Sequence, residues 1–334
     1  ETTTAGTVMK KYRLSDESRL HHWQDGETKA AVEVRQIIAA RDFNDVKCGT
    51  RGGWIDDESA LSHEQDCWIY DENSVVFAGA KIRGNARISQ PCVIHHDAVI
   101  GDDAWIDGAQ ISDGAHVSGR AMVQCSVVRG DCHLFGESRV LHNSLIVGAK
   151  GLTADSDSAL RIYGHATVSA SRVVHQAQIY GHALVTHAFI EHRAEVFENA
   201  ILEGNDENDV WVCDCAKIYG NARLVAGLAE NASPTVRYSS QVAGNAVIEG
   251  ECLLGHHVRV DENARITGGP VRLDNHVTVA GRARISGEVM IEDRVTILDE
   301  VTIVAPPGDI IRLNGFKTLT GDEQILRSPL PGLA

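Results

Sequence analysis

Between positions 179 and 197 the chain reads IYGHALVTHAFIEHRAEVF, which sets His182, His187 and His192 five residues apart. Three imidazoles at short range suit a tetrahedral metal site or a proton-transfer centre. Whether they converge depends on the elements that carry them, and those are legible in the flanking sequence.

From residue 80 a beat of small residue, any residue, aliphatic residue recurs every six positions, ending on Ile82, Ile88, Ile94, Ile100 and Ile106. A helix would space its apolar positions by three and four, and an ordinary strand would alternate over a longer run. Six-residue units predict short parallel strands broken by regular turns, three faces to a coil and about a dozen coils. Between Ile162 and Leu202 the intervals run 6, 5, 6, 6, 5, 6, 6, so a coil there has 17 residues and one tightened corner. With the face before the short step named A, the next B and the third C, the short step always falls between A and B.

That frame separates the three histidines. His182 falls at the C-to-A corner, His187 at the tightened A-to-B corner and His192 at the B-to-C corner, so a full face of roughly 15 to 20 Å divides each from the next. No single ion can collect all three. His165 and His182 are predicted to stack, in a slot held elsewhere by Asn85, Asn199, Asn221 and Asn245 and read as a left-handed backbone position. His175 and His192 are predicted to form a second stacked pair, with no carboxylate clearly placed to complete a metal site.

His187 has no histidine ladder to join. Its mates in the stack are Ala170 and Gly204, and just below it the same corner opens into EGNDENDVW (203–211) and VAGLAENASPTVRYSS (225–240). Insertions in a solenoid gather on its functional side. His187 is the first candidate for a catalytic base and His142, at the same corner, the second. Glu203, Asp206 and Trp211 are candidates for substrate binding, and no metal ligand set is assigned.

Units such as IRGNAR, IGDDAW, IYGNAR, VAGNAV and VDENAR resemble the bacterial hexapeptide-repeat transferases over roughly residues 54–303. The segment RQIIAARDFNDVKCGTRGGWIDDESALS, followed by CWIYDEN, is similar to a narrower set of these proteins. The resemblance implies an all-β fold, a left-handed parallel β-helix in the form of a triangular prism. It further implies an acyltransferase moving an acyl group, acetyl above all, from acetyl-CoA or another acyl-CoA to an amine or hydroxyl, in a cleft between prisms. A non-catalytic scaffold is the alternative. A metal-dependent β-helix lyase, which would need His142, His187 and the partner subunit's His192 at one site, is less favoured.

The remaining expectations concern boundaries and surroundings. Residues 1–8 read as a disordered leader, 9–53 as a small antiparallel β cap, 54–303 as the β-helix with inserted loops near 147–160, 203–211 and 225–240, and 304–334 as a C-terminal cap. A net charge of −15 argues against nucleic acid and anionic membrane surfaces. No run of about 18 apolar residues and no secretory signal pattern is present, so a cytoplasmic location is expected. Cys92, Cys132 and Cys252 occupy the small slot of the hexad and read as core residues. Cys213 and Cys215, the one close pair, lack the second pair that a thiolate metal site needs. Tyr163, Tyr180, Phe197 and Tyr219, with Phe135, predict an aromatic ladder. Apolar outward stripes (Trp105, Met122, Leu184 and Ile201; Val127, Leu145, Phe189 and Trp211) predict a homo-oligomer, most simply a homotrimer.

Overall fold

The computed structural model describes residues 9–150 and 159–329. The expected leader at 1–8 and most of the expected loop near 147–160 lie outside the described residues. The chain divides into two compact units, Glu1–Glu137 and Ser138–Ala334.

The first unit opens with strands β1 (Tyr12–Asp25) and β2 (Thr28–Ala39), paired antiparallel through a turn in which Gly26 takes φ +58°. Strand β3 (Arg51–Ile55) pairs antiparallel with β2 on one edge and parallel with Val75–Val76 on the other. It therefore converts the cap into the first coil. The cap is pinned by Tyr12, whose hydroxyl donates to the carbonyls of Leu61 (2.6 Å) and Glu58 (3.0 Å), and by buried Lys11, whose Nζ donates to the Cys67 carbonyl at 2.7 Å.

Most coil strands are only two to four residues long, because the outward-pointing residue between two inward ones leaves room for one pleat before the corner; Arg265–Asp274 and Arg284–Glu292 instead run on through a corner. Ala104 and Ile106 are fully buried, while Trp105 between them faces out. In this unit Trp105–Asp107 lies in parallel register between Arg87–Ser89 and Met122–Gln124.

The second unit repeats the arrangement with the predicted seventeen-residue step. Val168 pairs with Val185, Val173 with Ile190 and Ile179 with Val196. The ladder of Tyr163, Tyr180, Phe197 and Tyr219 stacks with centroids 4.8 to 4.9 Å apart and planes within 6° of parallel. The parallel pairing continues past 303: Ile310–Asn314, Lys317–Leu319 and Gln324–Ile325 pair with strands of the coil before them. The segment expected to form a separate C-terminal cap thus prolongs the stack, because its IIRLN and KTL strands keep the inward aliphatic beat. Among the described residues the turns number about 15, against the dozen expected. Among the described residues no helix is long and apolar enough to cross a membrane.

Candidate functional site at the tightened corner

In the second unit the A-to-B corner turns on left-handed residues: His142 (φ +53°) with Asn143 (+60°) in one coil, then Ala170 (+49°) and His187 (+45°) alone in the next two. The backbone ladder links them, with Ala170 N–H donating to the Leu141 carbonyl and His187 N–H to that of Ser169. Below His187 the column reaches Gly204. A Cβ there would collide with the His187 carbonyl oxygen, so glycine lets the next coil pass under the histidine. His142 is exposed and stands two coils from His187 in the same column, roughly 10 Å along the stack.

The first inserted loop follows Gly204 and folds on itself. Asn205 accepts from the N–H groups of Glu207 and Asn208 (2.9 Å each), and Asn208 Nδ2 donates to the carbonyls of Gly227 (2.7 Å) and Ala229 (2.8 Å) in the second loop. This lashing brings Asp206 over the corner, where its Oδ1 lies 3.4 Å from His187 Nε2. The structure thus joins two of the sequence candidates. Glu203 is drawn elsewhere, into a paired contact with Arg223 Nη2 at 2.8 and 2.9 Å.

Trp211 sits on the outer B face against Phe189, 6.1 Å between centroids, and its Nε1 donates to Glu191 Oε1 at 3.0 Å. It lines a cavity of about 360 Å³ together with Asn208, Ser233, Thr235, Arg237 and Arg272. Arg237 and Arg272 carry no signal in the sequence. The loops and the longer coils after them break the seventeen-residue arithmetic that would otherwise put them beside Trp211. Another cavity, of about 580 Å³, is an open furrow at the C-to-A corner lined by Glu262, Asp299, Glu300 and Asp322. Two of its carboxylates are occupied with the stack: Glu262 accepts from Gly281 N–H (3.1 Å) and Asp299 from Gly321 N–H (2.8 Å).

The other histidines stack as expected. The rings of His165 and His182 lie 4.8 Å apart and 2° from parallel, and those of His175 and His192 5.1 Å apart and 6° from parallel. The left-handed position at the first pair, however, is one residue earlier than the sequence pattern suggests. Gly164 (+65°), Gly181 (+68°) and Glu198 (+54°) take positive φ, while His165, His182 and the aligned asparagines do not. The glycine that begins each GHA or GNA unit absorbs the turn, leaving the next side chain free to stack outward.

At the B-to-C corner a carboxylate does stand near the histidine pair: ligand atoms of His175, Glu191 and His192 lie within 4.8 Å of one another. Each of the three also accepts a hydrogen bond. His175 Nδ1 accepts from His192 N–H at 3.2 Å, which leaves its proton on Nε2, and Trp211 occupies Glu191. His192 Nδ1 faces both Asp214 N–H (3.2 Å) and Asp214 Oδ1 (3.1 Å). The cluster reads as a hydrogen-bonded corner. Cys213 and Cys215 part company, the first buried and the second exposed, and burial pushes the Cys213 thiol up to about 12.

A family model described as the YdcK beta solenoid repeat matches residues 160–176 and 177–193, two consecutive seventeen-residue coils that contain Ala170 and His187. The chain is also 51% identical over 325 residues, 97% of its own length and 100% of the relative's, to the uncharacterized acetyltransferase YdcK of Escherichia coli (strain K12). A relation of that extent, with the coil repeat matched at the corner that carries His187, shows that this chain belongs to the YdcK family of β-solenoid proteins.

Proposed function

We propose that the chain is an acyltransferase that moves an acetyl group from acetyl-CoA to an amine or hydroxyl of a small acceptor, with His187 as general base. The observation that carries this reading is the His187–Asp206 pair, held at the tightened corner by a lashed loop. A carboxylate at Nε2 favours the proton there and leaves Nδ1 to accept one. In the proposed step the acceptor gives its proton to His187 as its nitrogen or oxygen bonds to the thioester carbon. The C–S bond then breaks, and the proton passes to the departing thiolate. The relative that is named an acetyltransferase supports the reaction class.

The same reading carries a cytoplasmic location and a homotrimer as proposals. Leu184, 47% exposed on the outer A face, supports a covered surface, although its neighbour Ile201 is half-buried by the stack alone. A monodisperse monomer in light scattering at micromolar concentration would overturn the oligomer.

The donor is tested by thermal unfolding with acetyl-CoA, succinyl-CoA and free CoA, since a ligand bound only by the folded state raises the midpoint. A rise with acetyl-CoA is expected. No rise with any of the three at millimolar concentration would contradict the reading.

A further inference from the structure

The outer B face of the second unit carries a second feature that the base does not explain. Two adjoining cavities run along it, of about 360 and 240 Å³, and Arg237, Leu253 and Arg272 line both. In a chain of net charge −15, this groove gathers two guanidinium groups beside an aromatic ring.

Their partners leave them cationic. Arg237 Nε is buried and meets no oxygen or nitrogen acceptor among the described residues, and its guanidinium faces the neutral Cys213 thiol. Asp214 Oδ2, at 3.8 Å, attracts it by charge but is beyond hydrogen-bond reach. No carboxylate lies within ion-pair distance of Arg272 among the described residues. Of the acidic groups along the groove, Asp274 is committed to its own corner, accepting from His256 N–H (2.7 Å) and Asn275 N–H (2.9 Å) and contacting His256 Nδ1 at 3.1 Å. That leaves Glu251 in the first cavity and Glu292 in the second, set against the two arginines that line both. The hydroxyl residues Ser233 and Thr235 add neutral polar lining.

An aromatic platform adjoins these charges. The Arg237 guanidinium lies 5.6 Å from the centroid of Trp211 and 5.0 Å from that of Tyr238. The hydrogen bond to Glu191 fixes the Trp211 indole in place. A fixed flat ring beside planar guanidinium forks is the combination that recognises a phosphate together with the organic group that bears it.

We infer that the B-face groove binds a phosphorylated ligand, with its phosphate on Arg237 and Arg272 and its organic part against Trp211. The inference deepens the acyltransferase reading by giving one of its substrates an anionic handle. It is read by binding rather than turnover, so it can fail or stand independently of His187. Two sources share this chemistry, the phosphate-bearing nucleotide end of a CoA donor and a phosphorylated acceptor.

Isothermal titration of the full chain with inorganic pyrophosphate, adenosine 3′,5′-bisphosphate and ribose 5-phosphate tests the site. At least one probe is expected to bind, more weakly as salt is raised, with affinity cut by about tenfold or more in Arg272→Gln. Arg272 is exposed, so that variant should keep the wild-type unfolding midpoint, and it carries the test should Arg237→Gln fold poorly. Trp211→Ala should weaken the two organic probes and spare pyrophosphate. Adenosine bisphosphate binding that competes with acetyl-CoA would support the site and assign it to the donor. Ribose phosphate binding without such competition would support it and assign it to the acceptor. No binding by any probe at millimolar concentration, or equal binding by Arg272→Gln, would overturn the inference.

Discussion

His187 Nε2 and Asp206 Oδ1 lie 3.4 Å apart although nineteen residues separate them in the chain, because the loop that begins at Gly204 turns back over its own corner. The pair is asymmetric. The His187 side chain is 29% exposed and that of Asp206 94%. His187 is therefore held by the fold, and Asp206 only assists it.

That asymmetry sets the expected effects of substitution. His187→Ala should lower acetyl transfer by about 10² to 10⁴ while acetyl-CoA still raises the unfolding midpoint. Asp206→Asn removes an exposed pair worth at most about 1 kcal/mol, so a loss of no more than roughly fivefold in kcat/KM is expected. Steady-state kinetics of the two variants check the order. A larger loss in Asp206→Asn than in His187→Ala would contradict the assigned roles.

Gly204→Ala should act through packing. The added Cβ meets the His187 carbonyl and the His187 Cβ (2.7 Å), and relief requires backbone movement in one of two stacked coils. A cost of about 1 to 3 kcal/mol is expected, seen as a lower urea midpoint together with a loss of activity. An unchanged midpoint would mean that the corner is looser than this geometry requires.

The coil arithmetic is readable in the sequence because a strand of two or three residues leaves little freedom. Inward Ile179 and Val196 must recur at the coil period, and the side chains before and after each corner follow from them. The stacked rings of His165 and His182 and the aromatic ladder are placed that way. The choice of left-handed residue is not, because Gly164 and His165 are adjacent and both types tolerate positive φ. Arg237 and Arg272 are hidden for a different reason. The seventeen-residue period no longer holds there, and Trp211 reaches Thr235, Leu253 and Arg272 through steps of 24, 18 and 19 residues.

Thiol chemistry should divide the eight cysteines. Cys48, Cys125 and Cys215 are exposed, and Cys67, Cys92, Cys132, Cys213 and Cys252 are buried. A chromogenic disulfide reagent at pH 8 is expected to titrate three thiols quickly and the remaining five only on unfolding. Fast reaction of Cys252 or Cys132 would contradict their place in the small slot of the hexad.

Stability should fall in alkali. Burial first, and then nearby acidic groups, push the thiols of Cys213 and Cys252 up to about 12 from an ordinary 9.0. Burial, followed by Glu195, does the same to the Tyr180 hydroxyl, up to about 12 from 10.0. These groups bind protons more tightly in the folded state than in the unfolded one, so their contribution is complete below pH 9 and is lost as pH rises toward 12. Denaturant midpoints should hold steady from pH 7 to about 8.5 and decline above 9. A midpoint that rises over that upper range would mean that these groups hold their protons less tightly in the folded chain.

Acyl transfer by His187 stands or falls on product detection. Wild type and His187→Ala, each shown to be folded, are incubated with acetyl-CoA and a panel of small amines and alcohols, and acetylated products are quantified by mass spectrometry. Product is expected from wild type and at least about a hundredfold less from the variant, with donor binding retained by both. Equal product from the two proteins, or none from a wild type that also fails to bind acetyl-CoA, would contradict the role of His187.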